Sequence, residues 1–527
     1  MYKNSKYTVL FPLLLAAGVV LGLLLGQYMG RNSTTSEIKG MLRQMALPTN
    51  KLTYTLSLIE NQYVDSVAMD SLAEHVIPLL VKELDPHSVY IPASEMQEIN
   101  EPLEGEFDGI GVVFNMATDT VIVLNVIPQG PSDKAGIKAG DRIIEINDTL
   151  VAGQKIPQRD VVKKLRGPRG TTVHLGLGRQ GISDLVGVDV VRDKIPIKSV
   201  ESAFCIADGI GYIRHSDFTE GCYEDMRAAV EKLRTEGELK GLILDYRSNG
   251  GGIMQEAIKI LGMFVPKGTE VVSTKGRTED SRQVYRTSSE PILPDLPLAV
   301  LINGNSASAS EIVTGALQDL DRAVVIGQRS YGKGLVQSPR PLGYNAMLKL
   351  TTAKYYIPSG RCIQAIDYSH SQEGTVRSVP DSLISEYTTR AGRKVYDGGG
   401  IMPDIRTEPE YISRFAMTLY ALGFIEDFGD EYVRRHPGQQ IDIRTFSITD
   451  GDYAEFAEFM KDKEVPYESD TRRALKKLRE AAKTDRFEEV EQQIAAIDST
   501  LRDDTATNLE TYRKEIVESI NNDIVLR

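Results

Sequence analysis

Positive charge is in deficit along this chain: 61 lysines and arginines stand against 74 aspartates and glutamates, a net charge of -13. No basic surplus is available to displace counterions from phosphates, which argues against a nucleic-acid partner. Cysteine is scarce too. Cys205, Cys222 and Cys362 are too few and too scattered for a disulfide framework or a metal site, and they read as buried thiols. A Cys205–Cys222 bridge stays open because the chain reads as exported, into an oxidising compartment. Histidine, the usual partner of a nucleophilic serine, is equally thin: His75, His87, His174, His215, His370 and His436. Only His215 and His370 fall in the part with α/β patterning, and neither has an acidic neighbour in an orienting pattern. A serine nucleophile here would need another base.

What is present is ample. The 527 residues, 41% hydrophobic and 26% charged, suit a globular protein of several domains. Tyr7 to Tyr28 is an uncharged apolar run of about bilayer-spanning length, preceded by Lys3 and Lys6. The positive-inside bias keeps the N-terminus in the cytoplasm and exports the chain beyond Arg31. With no small-x-small cleavage site and no lipidation cysteine beside it, the run is expected to be an uncleaved anchor. It predicts a single-pass protein of the inner (cytoplasmic) membrane whose catalytic part faces the periplasm or the cell exterior. Gly18, Gly22, Gly26 and Gly30 recur every fourth residue, spacing that permits close helix pairing. A homodimer is among the assemblies left open.

Beyond the anchor (1–34), residues 35–97 carry a helical spacing that LDPHSVYIP interrupts, and His87 in that loop reads as structural. Residues 98–194 change to short alternating segments, GIGVVF, VIVLNVI, DRIIEIND, TVHLGLG and VGVDVV, a small β-rich module. Residues 195–408 alternate strand and helix patterns. Residues 409–527 are helical, charged and poor in glycine, a C-terminal extension for packing or assembly.

Chemistry concentrates between Asn303 and Gln337. The run LPLAVLI reads as a buried strand ending at Asn303-Gly304, and a helix begins near Glu311. The serines of NGNSASASEI therefore stand at a strand-to-helix junction, where free N–H groups and the helix dipole favour an anionic intermediate. Ser306, Ser308 and Ser310 are all candidates at this level, and Ser310 with Glu311 could equally cap the helix. Lysine can act as the base only when neutral, in a site dry enough to lower its pKa. Lys333, in SYGKGLVQ, is the candidate, with Gly332 and Gly334 leaving room for close approach. Gln337 lies four positions on, an offset that shares a face in strand or helix. LDYRSNGGG, Leu244 to Gly252, lacks the Gly-Lys-Ser/Thr ending of a phosphate loop. Its glycines could aim amides at an oxyanion.

Two resemblances organise these pieces. IPQGPSDKAGIKAGDRIIEINDTLV, with Pro131, Ala135, Gly136, Gly140, Asp141, Ile146 and Asn147, closely resembles the PDZ family. That resemblance implies that the loop with Gly109, Ile110 and Gly111 offers amides to a C-terminal carboxylate. The strand from Val112 would accept the peptide as an added strand. The chain from Leu84 to Ile405 resembles the carboxyl-terminal processing (tail-specific) proteases, serine peptidases of family S41. It does so through LDPHSVY, the PDZ module, LDYRSNGGG, NGNSASASEI, GKGLVQ, YYIPSGRCIQ and GGGIMPD, in that order.

The implied fold is multidomain α/β: a crotonase-like protease core with an inserted PDZ β-barrel, an N-terminal transmembrane helix and a helical C-terminal extension. The implied nucleophile is the middle serine, Ser308, with Lys333 as base 25 positions later and Gln337 beyond it. The oxyanion amides map to Gly252, or its neighbour Gly251, and to Ala309. The resemblance also implies a supporting role for Asp319 and, for Arg166, one in coupling peptide binding to site assembly. No metal or cofactor is implied; the partners are proteins or peptides with free C-termini, and the membrane. NGGG departs from the more frequent Asn-x-Pro-Gly-Gly loop, and residues between Ile366 and Asp397 are an insertion. The competing readings are a catalytically silent PDZ adaptor at the membrane, which would bind without turnover, and an acyl hydrolase or acyltransferase on a similar core.

Overall fold

The computed structural model describes residues 50–116, 119–179, 181–367, 377–378, 384–409, 412–443, 445–501 and 504–526. The apolar run from Tyr7 to Tyr28, with the anchor expected there, lies outside them. Among the described residues no helix is long and apolar enough to cross a membrane. The chain divides into two compact units.

The smaller unit holds residues up to Pro92 with Arg340–Lys349. Its helices are Lys51–Gln62, capped by the Asn50 side chain, and Met69–Lys82. The strand Val89–Ile91 pairs antiparallel with Met347 to Lys349. In LDPHSVY the Asp85 carboxylate accepts the N–H groups of His87 and Ser88, each at 2.8 Å, and the Ser88 hydroxyl. This side-chain turn explains the motif in structural terms.

The larger unit begins with an antiparallel sheet in the order Val112–Asn115, Val121–Val126, Arg142–Ile146, Thr172–Gly178, Val186–Val191. Period-two burial brings Val121, Val123, Ile143, Leu175, Leu177 and Val190 into one core with Val161 and Leu165 of the helix Gln158–Leu165. Val112–Asn115 is an edge strand, paired among the described residues only with Val121–Val126.

Next comes a six-stranded sheet in the order Val200–Ala207, Ile210–His215, Gly241–Asp245, Leu298–Ile302, Ala323–Gly327, Ile405–Arg406. After a first antiparallel pair every neighbour is parallel. The helices Cys222–Glu236, Met254–Leu261 and Ala309–Asp319 bury apolar faces in the same core. In such a sheet the loops at the carboxyl ends of adjacent strands open onto one crevice. Three adjacent strands therefore deliver LDYRSNGGG, NGNSASAS and SYGKG to the same edge.

The C-terminal helices run from Arg414–Ala421 to Arg513–Leu526 and own a separate core around Phe415, Leu419, Phe428, Phe456, Ile516 and Ile520. All three cysteines are free, so the Cys205–Cys222 bridge is not formed.

Candidate active site

Ser308 caps the N-terminus of Ala309–Asp319 at φ +55°, ψ −114°, a conformation costly for any residue with a side chain and recurrent at nucleophilic turns. The three serines separate by burial. Ser306 is fully buried, its hydroxyl donating to the carbonyl of Tyr246 at 2.8 Å. Ser310 is fully buried too, donating to the carbonyl of Asn249 at 2.9 Å. Ser308 alone is half-exposed.

Glu311, three residues on, is the hub of the site. Its carboxylate is buried and accepts four hydrogen bonds. Oε1 takes the Ser330 hydroxyl at 2.5 Å and the Gly332 N–H at 2.7 Å. Oε2 takes the N–H of Ser308 at 2.8 Å and that of Lys333 at 2.9 Å. Burial pushes this carboxyl above its ordinary value, while the four donors favour its ionised form. One oxygen thus joins the backbones of the candidate nucleophile and the candidate base.

Lys333 lies in the turn before the strand Leu335–Gly343, not within it. The glycines beside it meet protein on their open sides. A Cβ on Gly332 would stand 2.4 Å from that of Ala365, and one on Gly334 2.9 Å from the Gln364 nitrogen. The segment after Tyr355 and the glycines before Ile401 form a wall behind the turn. Gly334 N–H donates to Gln364 Oε1 at 2.7 Å, and Ile401 N–H to Ser330 Oγ at 2.6 Å. Since Lys333 precedes the strand, the shared-face argument for Gln337 does not apply. The Gln337 amide donates to Thr351 Oγ1 on the neighbouring strand at 3.2 Å.

The glycine loop packs directly on the nucleophile turn. A Cβ on Gly251 would fall 2.7 Å from Ser308 Cβ and 2.8 Å from Ala309 N. Asn249, fully buried, arranges this loop. Its Oδ1 accepts the Gly251 N–H at 2.8 Å, and its Nδ2 donates to the carbonyl of His215 at 2.8 Å. With Gly251 N–H so committed, the N–H groups of Gly250, Gly252 and Ala309 are without a hydrogen bond among the described residues. Asp245, at the head of the loop, accepts from Tyr212, Arg214 and Arg247. Burial pushes its carboxyl up, but these donors prevail and hold it below the ordinary range. His215 is buried against Phe218 and Tyr246 with neither ring nitrogen bonded, and burial lowers its pKa to about 3. It is a neutral core residue.

Two expected site residues stand elsewhere. Asp319 ends the helix that Ser308 begins, about 16 Å away at about 1.5 Å per residue. It pairs with Arg361 at 2.8 Å, both side chains fully buried, and accepts the Ser359 N–H. Its support is to the loop after the strand Ala346–Tyr356, with no contact at Ser308. The insertion docks at the same end of the helix, through the Arg390 N–H to the Asp319 carbonyl and Arg393 to Asp321 and Asp404. Arg166 pairs with Glu101 at 2.8 Å and lies 4.2 Å over the Phe107 ring. In the PDZ-like sheet, Ile110 is buried, its carbonyl accepting the Ser132 N–H, and Gly111 has φ +74°. Both precede the edge strand from Val112.

Glu311, Asn249 and Asp245 were not singled out from sequence as site residues. For Glu311 a signal existed, since an acidic residue three positions after a serine is the capping-box spacing. Nothing local marks the other two.

Comparison with known proteins gives the family. The family model described as peptidase family S41 matches residues 209–370. A PDZ domain model matches 109–190, and one described as a probable PDZ-protease C-terminal helical domain matches 415–527. The chain is 38% identical over 341 residues to a carboxy-terminal-processing protease of Bartonella bacilliformis, covering 64% of this chain and 76% of that one. It is 30% identical over 368 residues to a probable CtpA-like serine protease of Staphylococcus epidermidis, covering 68% and 73%. To the carboxy-terminal processing protease CtpB of Bacillus subtilis it is 33% identical over 317 residues, covering 60% and 65%.

Proposed function

Because this chain belongs to the S41 family of carboxy-terminal processing serine proteases with a PDZ domain, we propose that it is a membrane-anchored endopeptidase with a Ser308–Lys333 mechanism. A substrate's free C-terminus is held by the amides around Gly109, Ile110 and Gly111, and its last residues add as a strand beside Val112–Asn115. Ser308 Oγ attacks the carbonyl carbon of the scissile bond while neutral Lys333 Nζ takes the hydroxyl proton. The oxyanion receives the Gly252 and Ala309 N–H groups. As the C–N bond breaks, the leaving amine takes the proton from Lys333. Water, deprotonated by the same lysine, then hydrolyses the acyl-enzyme and restores Ser308. The observation that carries this reading is the Glu311 carboxylate, which binds the N–H groups of Ser308 and Lys333 through one oxygen. The apolar run from Tyr7 to Tyr28 behind Lys3 and Lys6 supports the anchor, with the catalytic part outside the cytoplasm.

The test uses the full chain in detergent or vesicles with peptides ending in a free carboxylate. Ser308→Ala and Lys333→Arg are expected to abolish cleavage while leaving peptide binding intact, arginine being unable to serve as a neutral base. Cleavage by Ser308→Ala overturns the nucleophile. Binding without turnover in the unaltered chain establishes the silent adaptor instead. Protein precursors with intact C-termini that accumulate in Ser308→Ala cells identify the substrates.

A further inference from the structure

The Ser–Lys reading requires Lys333 to leave the backbone in one direction, yet Lys333 sits in a turn with glycine on either side, the most permissive backbone available. Glu311 fixes only the N–H side of this residue. The other side is fixed by a residue 22 positions on. Tyr355, on the strand Ala346–Tyr356, is buried, and its hydroxyl donates to the Lys333 carbonyl at 2.6 Å. The same oxygen stands 3.2 Å from the Ser308 carbonyl. The Tyr355 N–H donates to the Gly334 carbonyl at 2.9 Å, so the strand carrying the phenol is itself fastened to the lysine turn.

Ser308 and Lys333 are therefore bridged twice. A carboxylate gathers their N–H groups, and a phenol reaches both carbonyls. Burial keeps the phenol protonated, and its one proton points chiefly to the Lys333 carbonyl, the nearer of the two. The peptide unit before Lys333 is held through its N–H by Glu311, and the unit after it through its C=O by Tyr355 and its N–H by Gln364, so the Cα–Cβ direction of Lys333 is set. The Ser308 carbonyl, at a residue with φ of +55°, also accepts the Ile312 N–H at 3.0 Å, so the nucleophile turn is the fixed member of the pair.

We propose that Tyr355 is a positioning residue for the protease reaction, its hydroxyl holding the Lys333 turn in register with the Ser308 turn. This inference rests on the Ser–Lys reading. Tyr355 touches neither substrate nor the reacting atoms; it acts through the backbones of the two residues that do.

Tyr355→Phe removes one oxygen and leaves the ring in its packing site. The measurement is kcat and KM on a tail-bearing peptide, with active sites counted by a serine-directed phosphonate and peptide affinity measured separately. The expected result is a kcat per titrated site lowered about 10- to 100-fold, the scale for a reacting group displaced by a fraction of an ångström to one ångström. KM and peptide affinity are expected to stay within about twofold, because the peptide is held elsewhere. A merely structural tyrosine would lower the number of titrated sites while each survivor turned over at the unaltered rate, and that outcome overturns the proposal. A parallel collapse of kcat, KM and peptide affinity overturns it as well. Lys333→Arg measured alongside separates the two levels. If that variant is active, the Ser–Lys reading fails and this inference with it. If it is inert while Tyr355→Phe keeps full kcat, only the role of Tyr355 fails.

Discussion

Glu311→Gln is the substitution whose outcome the geometry fixes most closely. The amide has the shape of the carboxylate but replaces one acceptor oxygen with a donor. Two orientations are available. With the NH2 group in place of Oε2, both the Ser308 and Lys333 N–H groups face a donor. With it in place of Oε1, the Ser330 hydroxyl turns to accept, and only the Gly332 N–H is left facing a donor. The second orientation leaves one backbone N–H and the rotatable Ser330 hydroxyl proton without an acceptor, in place of two fixed backbone N–H groups, and it keeps both catalytic backbones on an oxygen. The remaining bonds lose their charge assistance, which roughly halves their strength. Relief from burying a charge offsets part of that.

The expected net loss for Glu311→Gln is about 2–3 kcal/mol, with kcat reduced no more than about 10-fold. Glu311→Ala strands three backbone N–H groups and opens a cavity, costing about 5 kcal/mol or more, with kcat down by about 100-fold or more in what remains folded. Urea titration gives the stabilities, and kcat per titrated site on a tail-bearing peptide gives the rest. If Glu311→Gln stays folded and is as inert as the alanine variant, the charge rather than the geometry of Glu311 is what matters, and the reasoning is wrong. Unaltered kcat in Glu311→Ala would remove Glu311 from the site altogether.

Two glycines of one loop should respond oppositely. A Cβ on Gly252 would lie 2.3 Å from the Phe218 carbonyl at a φ of +140°, so Gly252→Ala should cost about 2 kcal/mol or more and most of the activity. Gly250, with open space and no left-handed φ, should accept alanine with a gain of about 0.4–1 kcal/mol; urea midpoints and kcat check both. Asp319→Ala leaves a fully buried Arg361 unpaired, an expected loss of about 3–5 kcal/mol, whereas kcat per folded site should change little. A selective loss of kcat there would give Asp319 a place in the chemistry. His215 stays neutral in the folded chain down to about pH 3, while the unfolded chain protonates it below 6.5. Its contribution is complete above pH 6.5 and is lost as pH falls towards 3, at about 1.4 kcal/mol per pH unit. The stability difference between the unaltered chain and His215→Leu, followed by urea unfolding, should slope across that window and be flat above pH 7.

How far the site could be read from sequence depended on the range of each signal. Strand, glycine turn and helix succeed one another within a dozen residues around Asp245 and Ile302, and strand, glycine turn and strand around Gly327, so the three loops were legible one at a time. Their meeting follows from parallel pairing of neighbouring strands, which the alternation of strand and helix implies. Tyr355, Gln364 and Ile401 were not legible. They reach the lysine turn from 22, 30 and 71 positions along the chain, through hydrogen bonds that obey no period. The shared-face argument linking Gln337 to Lys333 presumes one regular element, and the strand begins only at Leu335.

The glycines beside Lys333 were misread in an instructive way. Gly332 and Gly334 suggested room for something to approach, and something does: the chain's own backbone at Gln364, Ala365 and Gly400. That accounts for YYIPSGRCIQ and GGGIMPD, which as sequence carried order but no chemistry. They are the wall that closes the lysine turn from behind, and the fixed side of the pair that Glu311 and Tyr355 hold together.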